Sequence, residues 1–178
     1  EADKYGFVLW VDEQSHLLLR VDMVDKEGNL VEQVLGVDLD RQPAPAPWLV
    51  TLARSKLPDA LALEDAYPAP QQTLNWHLTW LPGGFKVLSQ DRHQLVSTSL
   101  PVDYMMLSDG VVDLSVYVSR VDPKQAVRQQ LIRQGATSLV SFVNEVGVEI
   151  TVVGEVPAET AKRIAEAVQP LARNEAVQ

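Results

Sequence analysis

The sequence predicts an α+β fold, in which an antiparallel sheet carries a C-terminal helix packed on it. Residues 104–120 alternate apolar and polar side chains on both sides of Asp109-Gly110, which is typical of a β-hairpin. Residues 137–153 repeat this pattern around a polar turn. After Pro157, apolar residues recur at helical spacing, which predicts an amphipathic helix that must cover a flat apolar surface.

The beginning of the chain predicts three β-strands, separated by polar turns, over 5–11, 17–24 and 30–39. A small sheet of this kind with one apolar face is marginally stable alone, and its open edges favour pairing with another chain. We therefore expect self-association, as a homodimer, through residues 5–39. Because the chain begins inside a strand pattern, we also expect an upstream part of this sheet to be missing.

A proline-rich linker is expected over residues 42–73, since prolines recur at 43–47 and again at 66–72. A short helix is predicted within it over 48–56, because Pro47 suits a first helical turn and Pro58 follows its end.

Residues 74–170 are expected to form a small domain, followed by a flexible tail at 171–178. Its opening strands are predicted at 75–80, 85–89 and 94–99, with a turn at 82–84 that returns the second strand and a polar corner at 91–93. Asp122-Pro123 resembles the start of a helix, which is expected over 124–133 and ended by Gly135. The final helix is expected to include Val168 and to stop at Pro170.

The 104–120 hairpin is predicted to turn at Asp109-Gly110 as a two-residue type I′ turn. The resulting partners are Leu107 with Val112, Met105 with Leu114 and Tyr104 with Ser115. One face is then apolar, and the other carries Met106, Asp113, Ser115, Tyr117 and Ser119.

Composition excludes several function classes. The chain has 178 residues and a net charge of −9, which argues against a nucleic-acid partner because phosphate binding needs clustered Lys and Arg. It contains no cysteine, so disulfides, thiolate metal sites and cysteine nucleophiles are excluded. No apolar run approaches the roughly 20 residues of a membrane-spanning helix.

Motifs for catalysis or cofactor binding are absent from the sequence. His16, His77 and His93 lie in separate segments without metal-ligand spacing, and no nucleophile elbow or phosphate loop is present. We therefore expect no enzyme activity, no metal and no cofactor. Trp76 and Trp80 could stack on a ligand or pack inside the protein. These features favour a protein that acts by binding.

Three sequence blocks resemble the C-terminal domain of the MucB/RseB family. They are WLPGGF at 80–85, LSDG at 107–110 running into LSVYV at 114–118, and ITVVGEVP at 150–157 followed by TAKRIA at 160–165. The phrase LLLR at 17–20 with DKEG at 25–28 is similar to the closing strands of the family's larger N-terminal domain. Residues 1–41 are thus expected to be the last strands of that domain, with most of it and the signal peptide missing.

This resemblance implies a periplasmic negative regulator of an envelope-stress sigma factor. Such proteins bind the periplasmic segment of a membrane-anchored anti-sigma factor of the MucA/RseA type and protect it from site-1 proteolysis until lipid or lipopolysaccharide releases them. The large domain is implied to be a LolA-like half-barrel that takes acyl chains. Since only its last strands are present, we do not expect the lipid cavity to be retained.

The mixed face of the hairpin is the predicted partner-binding surface, through Tyr104, Met106 and Tyr117, because tyrosine and methionine flanked by Ser and Asp suit recognition. The alternative is that the final helix covers this face. Two other functions stay open. The apolar strands over 5–39 would suit a periplasmic lipid or lipoprotein carrier, and a hydrolase would need the His and carboxylate side chains to converge.

Overall fold

The first three strands form a separate sheet beside the rest of the chain. The computed structural model describes residues 3–56, 74–93, 101–121 and 129–171. Strands β1 (Gly6–Val11), β2 (Leu18–Val24) and β3 (Leu30–Leu35) are antiparallel and lie in the order β1-β2-β3. This N-terminal sheet confirms the predicted strands, although the third ends earlier than expected.

The one buried polar residue of β2, Asp22, is paired with polar neighbours. Asp22 is buried and accepts hydrogen bonds from the Arg20 guanidinium and from the Gln33 side chain. These hydrogen bonds, that of Arg20 first, hold the pKa of Asp22 below its usual value. The Arg20 guanidinium also lies 4.2 Å from the centre of the Trp10 ring. Polar pairing thus replaces an apolar core on this side of the sheet.

The predicted short helix is present within the range predicted to be a linker. Helix α1 spans Pro47–Arg54, with proline in its first turn and Ser55 in an extended conformation after its end. None of its residues is buried. Residues 57–73, which complete the predicted linker, lie outside the described part of the chain.

The C-terminal part of the described chain is built on a larger antiparallel sheet, here called the central sheet, with strand order β5-β6-β7-β10-β9-β8. Its strands are β5 (Lys86–His93), β6 (Val102–Ser108), β7 (Asp113–Arg120), β8 (Gln130–Gln134), β9 (Thr137–Val143) and β10 (Val148–Gly154). The two predicted hairpins, β6–β7 and β9–β10, are confirmed, and β7 pairs with β10 to join them.

The register of the β6–β7 hairpin differs from the prediction. Leu107 pairs with Leu114, so the two-residue turn is wrong. The side-chain carboxylate of Asp109 accepts hydrogen bonds from the N–H groups of Val111 and Val112, both at 3.0 Å, which closes a longer loop. The register moves by two residues. Because side chains alternate with a period of two, every residue keeps its predicted face.

Two predictions for the first strands of the small domain are wrong. Strand β4 (Trp76–Leu78) pairs with β11 (Val168–Pro170) near the end of the chain, so 85–89 does not return against it. The polar corner at 91–93 is part of β5, where Arg92 pairs with Asp103 across the ladder and the two side chains form an ion pair. The predicted strand at 94–99 lies outside the described residues.

The predicted helix over 124–133 is wrong where it can be compared. Residues 130–133 belong to β8, an edge strand that pairs with β9, and residues 122–128 are not described. Gly135, with φ of 58°, forms the tight connection between β8 and β9. Pairing with β9 therefore outweighs the local helical signal.

One helix covers one face of the central sheet. Helix α2 (Ala158–Glu166) packs on β9 and β10 through Thr160, Ala161, Ile164 and Ala165, all of which are buried. It ends before Val168, which belongs to β11, so the predicted stop at Pro170 is too late. The core between helix and sheet contains Met105, Leu107, Leu114, Val116, Ile150 and Val152. The predicted α+β class, with an antiparallel sheet and a C-terminal helix packed on it, is confirmed.

Candidate functional site

The central sheet has an outer face opposite α2, which we define by Tyr104, Met106, Ser115, Tyr117, Ser141 and Thr151. Alternation along β6 and β7 turns Leu107 and Leu114 toward α2, so Tyr104, Met106 and Tyr117 lie on the other side. The interpretation in which the final helix covers this face is therefore wrong. All three predicted residues are half-buried on one continuous surface.

Two tyrosines form the centre of this outer face. Tyr104 pairs with Tyr117 across β6 and β7, and their ring centres are 5.2 Å apart at an angle of 40°. The hydroxyls of Tyr104 and Ser115 lie 3.4 Å apart. Tilted aromatic pairs at this distance are favourable and form a rigid apolar platform with polar ends. The sequence missed this pair, because the assumed register placed Ser115 opposite Tyr104.

A row of hydroxyls extends the outer face beyond the tyrosines. Thr151 pairs with Tyr117 on one side and with Ser141 on the other. The Thr151 hydroxyl donates to the Ser141 oxygen at 2.9 Å, and the Ser141 hydroxyl donates to the Glu149 carboxylate at 3.1 Å. The hydroxyls thus have fixed directions. Ser141 itself is buried, so the groups that this face can present to a macromolecule are the tyrosine rings, the Met106 thioether and the Thr151 hydroxyl.

Trp76 and Trp80 pack in and against the core of the small domain. Trp76 is buried in the core, and its indole N–H donates to the Asp103 carboxylate at 3.1 Å. The same carboxylate accepts from the Arg92 guanidinium at 2.6 Å. The half-buried Trp80 packs against the core, and the Arg163 guanidinium lies 3.8 Å from its ring centre. A ligand-stacking platform of two tryptophans is therefore not formed.

The N-terminal sheet contacts the small domain at a junction formed by side chains far apart in sequence. The Lys4 ammonium forms an ion pair with Asp109 at 3.1 Å. Glu32 accepts a hydrogen bond from the Ala136 N–H at 3.0 Å. The Thr160 hydroxyl donates to the Asp3 carbonyl oxygen at 2.9 Å. A small apolar cluster formed by Tyr5, Met23 and Ala136, with Val31 against it, completes the junction.

Asp109 has two roles at this junction. Burial alone would raise the pKa of its carboxyl, but hydrogen bonds from the Val112 and Val111 N–H groups and the charge of Lys4 outweigh that effect. The pKa of Asp109 therefore lies below its usual value. The residue that shapes the β6–β7 loop is thus also the residue that binds the N-terminal sheet.

Ionisable side chains do not gather into a reactive centre in the part of the chain that the structure describes. His16 lies in the turn before β2 with φ of 57°, and His77 is exposed on β4. Across residues 3–56, 74–93, 101–121 and 129–171, no group of three His, Asp or Glu side chains could hold a metal ion. Over the same ranges, no helix has the length and hydropathy needed to cross a bilayer.

Comparison with family models matches both parts of the chain. Residues 70–169 match the MucB/RseB C-terminal domain, and residues 1–61 match the MucB/RseB N-terminal domain.

Curated relatives are regulatory proteins of sigma factors. The chain is 34% identical over 167 residues to the Sigma-E factor regulatory protein RseB of Escherichia coli K12, covering 93% of this chain and 51% of that protein. It is 29% identical over 178 residues to the Sigma factor AlgU regulatory protein MucB of Pseudomonas aeruginosa PAO1, covering 96% and 53%. The chain spans about half the length of the curated relatives it matches.

Solved structures with a similar fold include two crystal structures of MucB. A crystal structure of MucB in complex with MucA(peri) superposes with a TM-score of 0.75 at 27% identity, covering 97% of this chain and 59% of that one. A crystal structure of MucB gives a TM-score of 0.55 at 25% identity, covering 96% of this chain and 55% of that one.

Proposed function

The chain belongs to the MucB/RseB family, and from this membership we propose that it is a negative regulator of an envelope-stress sigma factor. It acts in the periplasm by binding the periplasmic segment of a membrane-anchored anti-sigma factor. Occupying that segment protects it from the site-1 protease. Lipid or lipopolysaccharide binding then releases the regulator. No bond is made or broken by this protein itself.

The observation that carries this proposal is the similarity to MucB bound to MucA. The superposition extends over 97% of the chain, and thus over both the N-terminal sheet and the small domain. The TM-score is higher with that complex than with the other crystal structure of MucB, at similar coverage and identity. The relatives' names, which describe regulation of Sigma-E and AlgU, point to the same pathway.

Within this function, we assign residues 74–170 as the partner-binding domain and residues 1–41 as strands of the large domain. Residues 42–73 link them, and 171–178 form a tail. The outer face of the central sheet supplies the contacts, through Tyr104, Met106 and Tyr117. Tyrosine and methionine are enriched in protein interfaces, and the paired rings lose little conformational freedom when they are covered.

Binding and protection test the function. The purified chain is titrated with the periplasmic segment of MucA by calorimetry, and the segment is then exposed to the site-1 protease with and without the chain. We expect saturable binding and slower cleavage in its presence. Absence of binding, or cleavage at the same rate, would refute the proposed function.

A double substitution tests the assigned surface. Met106→Ser with Tyr117→Ser should weaken binding by about 10-fold or more, because a tyrosine anchor at the centre of an interface alone can cost about 2 kcal/mol or more when truncated. The matched control is Val146→Ser, which removes an apolar side chain that is 80% exposed in the β9–β10 turn. Unchanged affinity of the double variant, with an unchanged circular dichroism spectrum, would show that this face is not the binding surface.

A second candidate function is that of a periplasmic lipid or lipoprotein carrier, and exposed apolar residues of the N-terminal sheet favour it. Val8, Leu9 and Val34 are each more than two-fifths exposed. Single sheets with such surfaces can contact acyl chains or a second copy of the chain. We expect weak or no binding of the chain to phospholipid vesicles, and tight binding would favour the carrier.

A further inference from the structure

A cleft lies at the junction, between the start of the N-terminal sheet and three loops of the small domain. Lys4, Tyr5 and Phe7 form one wall. The opposite wall includes Phe85 before β5, Val111 and Val112 from the β6–β7 loop, and Glu155 and Val156 from the connection to α2. The cleft exists only while the N-terminal sheet is docked on the small domain, because the start of the chain supplies one wall and loops of the small domain supply the other.

The size of the cleft limits what can fill it. Its volume is about 210 Å³. Pockets for drug-sized ligands measure roughly 300–1,000 Å³, so a whole lipid does not fit here. One bulky apolar side chain does. Interfaces commonly place such an anchor in a pocket and surround it with weaker contacts.

The mouth of the cleft already exposes apolar surface to water. Val111 is 72% exposed and Phe7 is 39% exposed, whereas Phe85 behind them is 6% exposed. An apolar side chain entering the cleft would cover the first two and reach the third. This gradient from exposed rim to buried wall is typical of a surface that receives an anchor.

The charged residues around the cleft favour one kind of partner residue next to the bound apolar side chain. Lys4 is neutralised by Asp109 at 3.1 Å, and its ammonium also lies 5.9 Å from the centre of the Phe85 ring. Glu155 makes no hydrogen bond or ion pair within the described residues. The three charged groups therefore sum to a negative rim, on a chain of net charge −9. A basic residue next to the anchor is complementary to that rim.

We propose that this cleft binds one bulky apolar side chain of an extended protein segment, with a Lys or Arg of the same segment facing Glu155. This inference rests on the proposed function, whose partner segment would supply both residues. Because the bound side chain contacts both sheets, it stabilises their docked arrangement. The small domain's outer face and the cleft are then separate contact surfaces for one partner.

Charge placed at the mouth tests the cleft with MucA. Val111→Glu should weaken binding of the MucA periplasmic segment at least 10-fold, since it puts a carboxylate where the apolar anchor enters. The matched control, Val146→Glu, makes the same change at an 80% exposed valine in the β9–β10 turn, at the opposite end of β7 and β10, and should leave affinity unchanged. Glu155→Lys should weaken binding several-fold, and less so at high salt.

Failure of the proposed function and failure of the cleft proposal would give different results. If the wild-type chain does not bind MucA, the proposed function is refuted. If wild-type binding is intact and Val111→Glu binds as well as Val146→Glu, the cleft is refuted while the function stands.

A second measurement does not depend on MucA. Acetyl-leucyl-lysine amide, added at millimolar concentration to the ¹⁵N-labelled chain, should shift the amide signals of Val111, Val112 and Val156. Acetyl-leucyl-glutamate amide should shift them less, because its carboxylate meets Glu155. Absence of shifts with the lysine peptide, or equal shifts with both, would overturn the inference.

Discussion

Replacing Gly154 by alanine should destabilise the central sheet, because two strands approach closely at this position. Gly154 ends β10, where it pairs with Leu114 of β7. A methyl group built there would lie 2.9 Å from Leu114 Cα and 3.0 Å from the Asp113 carbonyl oxygen, and closer still to Leu114 Cβ. Two of these three atoms belong to the backbone, so rotating a side chain cannot relieve the contact.

The expected cost follows from the displacement of β7. Overpacking typically costs about 1–3 kcal/mol, and the upper part of this range applies because the backbone must move. The alanine recovers about 0.4–1 kcal/mol by restricting the unfolded chain. The net loss is then about 2 kcal/mol of unfolding free energy, or a melting temperature lower by roughly 4–8 °C for a chain of this size.

Urea unfolding followed by circular dichroism measures this loss. The matched control is Gly36→Ala, where the nearest atom to the added methyl, the Leu19 carbonyl oxygen, is at an ordinary 3.4 Å. Because the added methyl group fits at this position, we expect the control to lose no stability and to gain up to about 0.4–1 kcal/mol from the restricted unfolded chain. Equal stability of Gly154→Ala and the wild-type chain would refute the steric reasoning.

Three further predictions concern charge and assembly. Asp103→Ala removes the acceptor shared by Trp76 and Arg92, so the unfolding free energy should fall by about 1–3 kcal/mol, and an unchanged urea midpoint would contradict this. Folding lowers the pKa of Asp109, so its stabilising contribution to the free energy of unfolding is fully present above the unfolded pKa of about 4 and is lost as the pH falls below that value. The urea midpoint should therefore decline more steeply with falling pH for the wild-type chain than for Asp109→Asn, and equal declines would contradict this. The open edges of β1 and β3 should cause self-association, seen as a mass that rises with concentration in light scattering, and a monomer at every concentration would contradict this prediction.

Local chemistry was sufficient to predict the faces of the β6–β7 hairpin but not its register. Alternation assigned Leu107 and Leu114 to the core, and any shift by two residues keeps that assignment. Asp109-Gly110 favours a two-residue turn, yet Asp109 bonds to the N–H groups ahead of it and closes a longer loop. Both turns suit Asp and Gly, so the choice depends on the strands they join.

Pairing between distant segments could not be predicted from patterns. Strands β4 and β11 are only three residues long and lie near opposite ends of the small domain, so neither carries a periodic signal of its own. Strand β8 carries Leu131 and Ile132 beside a helix-like start, and only its pairing with β9 makes it a strand. Tertiary context decides such short segments.

The outer face could be predicted from the sequence, whereas the cleft could not. The alternation of β6 and β7 placed Tyr104, Met106 and Tyr117 on one face, as the structure has them. The cleft could not be foreseen, because it depends on Lys4 meeting Asp109 across a separation of 105 residues. Long-range ion pairs of this kind leave no local pattern in a sequence.

Because Asp109 secures its own loop through backbone N–H groups, the loop does not need Lys4 to keep its shape. Loss of the Lys4–Asp109 ion pair would therefore not by itself unfold the β6–β7 loop. The N-terminal sheet is held to the small domain by the Lys4–Asp109 ion pair, whose side chains are 29% and 11% exposed, by a few hydrogen bonds and by the small cluster around Tyr5. Contacts of this kind are individually worth only about 0–1.5 kcal/mol. A ligand that binds modestly more tightly when the N-terminal sheet and the small domain are separated would then shift the equilibrium toward that separated arrangement.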